Sequence, residues 1–131
     1  MKTTALYKYL FIVLFFGVRL VLAQQGVEAL FIKEGVLLKC EDTKIPSDGY
    51  IALPHTVKAI AAEAFKGCTR LQRISISGGV TTIGDRAFAG CNHLTKVEML
   101  PNSVTAIGVQ AFAFCVKLKD INLPNTVATI G

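Results

Sequence analysis

The chain has 131 residues, 52% of them hydrophobic, with a mean hydropathy of +0.50 and a formal charge of +5. Much of that charge and greasiness sits in the first 23 residues, so the pI of about 9.2 does not describe the rest. No run of Lys and Arg follows that could track a phosphate backbone, which argues against a nucleic-acid partner.

Lys2 and Lys8 precede an unbroken apolar run from Tyr9 to Val18, and Val21-Leu22-Ala23 then offers a cleavage point before Gln24. Charge, apolar core and small-residue exit, in that order, make residues 1–23 a secretory signal peptide. The run is short of the roughly 20 residues a bilayer demands, and Arg19 would sit badly in one, so an uncleaved anchor is the weaker alternative. Removing the leader takes away Lys2, Lys8 and Arg19, and the formal charge drops from +5 to +2. Nothing beyond residue 23 is long and apolar enough to span a membrane. The expected product is a secreted or cell-surface protein.

Residues 24–53 read as an atypical terminal unit. Val36 to Lys39 is β-prone, Glu41 to Gly49 is a polar turn segment, and Tyr50, Ile51 and Leu53 lead into Pro54. Residues 30–53 are expected to form a β-hairpin that covers the first coil of a repeating array.

From Pro54 to Gly131 the chain repeats. Val57, Ile60, Ala64, Phe65, Cys68, Leu71, Ile74 and Ile76 align with Val80, Ile83, Ala87, Phe88, Cys91, Leu94, Val97 and Met99. They align again with Val104, Ile107, Ala111, Phe112, Cys115, Leu118, Ile121 and Leu123. The step is 23 residues from Phe65 to Phe88 and 24 from Phe88 to Phe112, the extra residue falling near Leu100. A fourth copy starts at Val127 and Ile130 and is cut off at Gly131.

This period lies in the leucine-rich-repeat window. The reading is an α/β leucine-rich-repeat solenoid. Leu71-x-x-Ile74-x-Ile76 and its equivalents form short parallel strands on a concave face. Single helical turns or short helices, carrying Ala and Phe inward, lie opposite, and the β-hairpin caps the N-terminal end. One such unit cannot bury its apolar side alone. Stacking should line Phe65, Phe88 and Phe112 in one row, Cys68, Cys91 and Cys115 in a second, and Leu71, Leu94 and Leu118 in a third.

The segments Leu53-Pro54-His55-Thr56-Val57-Lys58-Ala59-Ile60, Ile83-Gly84-Asp85-Arg86-Ala87-Phe88-Ala89-Gly90-Cys91 and Leu100-Pro101-Asn102-Ser103-Val104-Thr105-Ala106-Ile107-Gly108 resemble BspA-like leucine-rich repeats. Gly35-Val36-Leu37-Leu38-Lys39 is similar to the hairpin that often leads such arrays. The resemblance covers roughly residues 30–131. It implies a right-handed, β-solenoid-like array on a secreted or surface protein, associated with adhesion to host or microbial partners. It brings no catalytic residues. One departure is Phe114, which stands where the earlier copies have Gly before Cys.

The cysteines follow the repeat and no Cys-x-x-Cys exists, so a buried thiol ladder outweighs a metal site. Cys40 lies outside the period; in an oxidising compartment it either stays free or pairs with Cys68 if the hairpin folds close. His55, His93, Glu63 and Asp85 have no partners at catalytic spacing, so neither an enzyme nor a cofactor is expected. Leu123-Pro124-Asn125-Thr126-Val127 is close to a sortase signal, but the pattern Leu-Pro-x-Ser/Thr-Val recurs at 53 and 100 and belongs to the repeat.

The candidate binding surface is the outward side of the strands. It comprises Arg73, Lys96 and Asp120 in one column and Ser75, Glu98 and Asn122 in the next, facing a protein ligand. Two rival readings are a recognition end of a longer secreted enzyme or receptor, and a truncated product without an independent role. The second predicts self-association through the uncapped last coil.

Overall fold

A computed structural model describes residues 26–131; the leader expected over residues 1–23 lies outside the described residues. After a single 3-10 turn at Val27–Ala29, β1 (Leu30–Lys33) and β2 (Val36–Cys40) form an antiparallel hairpin. Its two-residue loop is Glu34-Gly35, both at positive φ (51° and 78°). A loop of this kind matches the right-handed twist of the strands it joins. The hairpin ends at Cys40. A second 3-10 turn, Asp42–Lys44, comes next, and β3 (Tyr50–Ala52) belongs elsewhere.

Three coils then stack on the hairpin through two parallel sheets. The first sheet runs β1-β2-β4-β6-β8-β9, where β4 is Ala59–Ile60, β6 is Thr82–Ile83, β8 is Ala106–Ile107 and β9 is Thr129–Ile130. Leu37, Ile60, Ile83, Ile107 and Ile130 succeed one another in register along it. Each Val-x-x-Ile segment of the repeat thus ends in a strand of two residues. The second sheet is β3-β5-β7, where β5 is Arg73–Ser75 and β7 is Lys96–Met99. Residues 30–53 are accordingly not one hairpin, because Tyr50–Ala52 pairs parallel with β5 and is the first rung of the repeat sheet.

The third side of each coil is made of the expected single turns and not of a continuous helix. The segment carrying Ala64-Phe65, and its equivalents, is a chain of tight i→i+3 turns. Ala64 N–H donates to Ala61 O, Lys66 to Glu63 and Cys68 to Phe65. Its remaining N–H groups reach into the next coil. Phe65 N–H donates to Ala87 O at 2.7 Å and Phe88 N–H to Ala111 O at 2.7 Å. An α-helix would spend those donors within itself. Here they bond coil to coil, so all three sides of the solenoid carry backbone hydrogen bonds along its axis. The spacing leaves no room for side chains at the corners after Ile83 and Ile107, which are Gly84 and Gly108. A Cβ on Gly84 would lie 2.5 Å from Ala62 N.

Inside, the expected rows are present. Phe65 and Phe88 stack with ring centroids 4.8 Å apart and planes 8° from parallel; Phe88 and Phe112 stack at 5.1 Å and 1°. Leu71 and Leu94 are fully buried, and Leu118 is half-buried at the end of its row. Phe112 is likewise only half-buried. Hydroxyls extend the coil-to-coil bonding: Ser77 Oγ donates to Pro54 O, Ser103 Oγ to Val80 O and Thr126 Oγ1 to Val104 O.

Candidate functional site

The outward face of β3-β5-β7 is where the strand side chains that avoid the core are displayed. Alternation along a strand sends Ile51, Ile74 and Val97 inward and leaves their neighbours facing solvent. Tyr50, Arg73 and Lys96 stand at the same register position on three adjacent strands. The Arg73 guanidinium lies over the Tyr50 ring, 5.2 Å from its centroid, and its Nη1 donates to Glu98 Oε1 at 3.4 Å. Cation–π contact and ion pair together hold one long side chain in place on a flat sheet.

Of the six residues expected from sequence, the structure brings Arg73, Lys96 and Glu98 into one cluster. The second column is arranged differently from the expected Ser-Glu-Asn row. A bulge in β7 pairs Ser75 with Met99, so Glu98 falls between the pairs Ile74–Val97 and Ser75–Met99. This is where the extra residue of the 24-residue step is absorbed. Asp120 and Asn122 are exposed, but Leu118–Leu123 forms no strand, and neither joins the ladder.

Sequence reasoning misses Tyr50 because it places that residue in the hairpin. The signal is nevertheless present: Ile51 lies 23 residues before Ile74, and Leu53 lies 23 before Ile76, the same step as in the repeats.

Beside β7 a groove of about 840 Å³ opens, with Thr95, Lys96, Glu98 and Leu100 on one side and Lys119 and Asp120 on the other. It coincides with the stretch where the sheet stops.

All four cysteines are free, buried thiols. Cys91 Sγ donates to Phe65 O and Cys115 Sγ to Phe88 O, each at 3.1 Å, while Cys68 Sγ points to Cys40 O at 3.8 Å. Each of these three thiols is directed at a carbonyl nearer the N-terminal end of the stack, and Cys40, delivered by β2, stands beside Cys68 as a thiol. The hydrogen bond with Cys68, and then burial, push the Cys40 thiol up; Cys115 and burial do the same to Cys91. Among the described residues no group of three or more His, Cys, Asp and Glu is placed to hold a metal. His93 Nδ1 lies 2.8 Å from Thr69 O, one more bridge between coils. Nor is any described helix long and apolar enough to cross a membrane.

Stacked parallel strands with a 23–24-residue period and aligned apolar rows define a leucine-rich-repeat protein. The BspA type leucine rich repeat region matches residues 43–131 in six copies, and the chain belongs to that family. Its solved relatives include the leucine-rich-repeat protein TpLRR of T. pallidum, 31% identical over 70% of this chain and 43% of that one, TM-score 0.64. The pneumococcal vaccine antigen PcpA is 30% identical over 74% of this chain and 24% of its own, TM-score 0.68. A leucine-rich-repeat protein from Bacteroides capillosus is 24% identical and shares the fold, TM-score 0.67, over 77% of this chain and 86% of that chain. The chain thus spans less than half the length of the T. pallidum protein. No curated protein matches it.

Proposed function

We propose that the protein is a secreted, non-catalytic binding module that adheres to a protein ligand through the outward face of β3-β5-β7. One observation carries this reading. Tyr50, Arg73 and Lys96 stand in register on three strands of a rigid sheet, with Arg73 already held by Tyr50 and Glu98. Side chains fixed before contact lose little freedom on binding, and Arg and Tyr are among the residue types most enriched at the centres of interfaces. Ser75 flanks the cluster, while Asp120 and Asn122 border it from the unpaired segment. The face is small, so single contacts are weak and adhesion relies on many copies displayed together. The leader at 1–23 supports an extracellular location, and membership of a repeat family whose proteins are typically non-catalytic supports binding over chemistry.

The test uses an immobilised host-matrix protein to which the wild-type protein binds, titrated with the Arg73→Glu, Lys96→Glu double variant. Loss of about tenfold or more in affinity is expected from reversing two charges at the centre of a contact. Unchanged affinity removes the face from consideration. N-terminal sequencing of the extracellular product should begin at Gln24.

A further inference from the structure

We propose that the free edge of β7 is a strand-addition site for an extended, acidic segment of a partner protein. This rests on the protein-binding reading above and names the form its partner takes.

The two sheets end differently. The first continues past the third coil, with β8 bonded to β6 on one side and β9 on the other. The second stops at β7, which is paired with β5 alone. The chain does return on that side, at Lys119–Leu123, yet among the described residues no backbone hydrogen bond joins this stretch to β7. Leu118 and Ile121 still pack against the core, so the segment stays close without joining the sheet. β7 is also the strand that carries the bulge at Glu98, and bulges are common where pairing ends.

The result is a groove of about 840 Å³ with a strand edge along one wall, a size typical of ligand clefts. Alternate backbone groups of a parallel strand face its open side, and an entering extended chain satisfies them while placing every second side chain on the groove floor. Leu100 and Pro101 make part of the lining apolar. The charges around it are not balanced. Glu98 is engaged by Arg73, whereas Lys96 and Lys119 have no ion pair among the described residues, leaving Asp120 as the only other acid of the lining. Two uncommitted lysines against one carboxylate favour an acidic entrant. The fitting ligand alternates apolar and acidic residues in an extended conformation.

The experiment titrates the protein with three fluorescent peptides of about seven residues, the length of a short strand: alternating Val and Glu, alternating Val and Lys, and the Val/Glu peptide N-methylated at alternate backbone amides. Amide hydrogen exchange at Lys96–Met99 is monitored in parallel. Binding of the Val/Glu peptide with slowed exchange in β7 is expected. N-methylation should weaken it about tenfold or more, because it removes the backbone donors on one edge of the peptide. Lys119→Glu, an exposed change outside the strands, should weaken it about fivefold. Equal affinity of the N-methylated peptide, or no binding by any of the three, overturns the proposal. So does a concentration-dependent dimer that itself protects β7, which would make a second copy the occupant. A matrix protein whose binding is lost with Arg73→Glu but neither competes with the peptide nor responds to Lys119→Glu would leave the open-face reading standing and overturn this one.

Discussion

The ring of Phe88 lies parallel to that of Phe112, with centroids 5.1 Å apart and an interplanar angle of 1°, while Phe65 stacks on its other side at 4.8 Å. Phe88 is fully buried and Phe112 is half-buried. Truncating the central ring should therefore cost more than truncating the outer one. Phe88→Ala is expected to lower stability by about 3–5 kcal/mol and Phe112→Ala by roughly half as much, since a partly covered site loses less burial and collapses more easily. Urea unfolding monitored by circular dichroism checks the order; equal losses would mean that the central ring gains nothing from its two neighbours.

Phe114 occupies a corner where Gly67 and Gly90 stand in the earlier coils, and all three adopt left-handed φ, 60°, 71° and 76° respectively. A bulky residue is strained there, and Phe114 is 77% exposed, so little packing offsets the strain. Phe114→Gly should raise stability by about 0.5–1 kcal/mol, the relief of strain exceeding the added freedom of the unfolded chain. The reciprocal Gly90→Phe should lower it. Paired thermal melts decide the matter.

Gly84 sits where one coil passes over another, and a methyl group there meets Ala62 N at 2.5 Å. Gly84→Ala is expected to cost about 1–3 kcal/mol by pushing two backbones apart. Hydrogen exchange should show the loss first in the bonds that cross this corner, Gly84 N–H to Ile60 O and Glu63 N–H to Asp85 O.

Cys40 and Cys91 are held in the thiol form by hydrogen bonds with Cys68 and Cys115 and by burial, which raise them above the ordinary value of 9.0. A group whose folded value is raised contributes stability that is complete below the unfolded value. As pH climbs past about 9 the unfolded chain releases these protons and the folded one keeps them, so folding weakens; Cys68 and Cys115, lowered by the same hydrogen bonds, offset part of that loss. Melting temperature should fall between about pH 8 and 10.5, and less steeply in Cys91→Ala than in the wild-type protein.

Much of this is legible in the residues themselves. Phe65, Phe88 and Phe112 recur at one step, and a side chain that must hide from water every 23–24 residues can do so only by stacking on its counterparts. Cys68, Cys91 and Cys115 obey the same logic, as do the inward residues of the strands. Ile51 and Leu53 carry the step too, so the first rung at Tyr50–Ala52 is readable even though the β-prone segment before it suggests a hairpin partner. The position of Cys40 is not readable, since β2 brings it to Cys68 along a path of 28 residues that the period does not describe.

The period and its apolar positions therefore determine that the chain coils, which side chains fill the interior and which family it belongs to. Only the tertiary structure decides how the coils are joined. Every residue except proline carries the same N–H and C=O, so nothing in side-chain identity says whether those groups close a helical turn or reach the neighbouring coil. Nor does it say that one added residue becomes a bulge at Glu98, or that the other edge of β7 stays unpaired. Those outcomes depend on where the backbone of the adjacent coil lies, and that position exists only after folding.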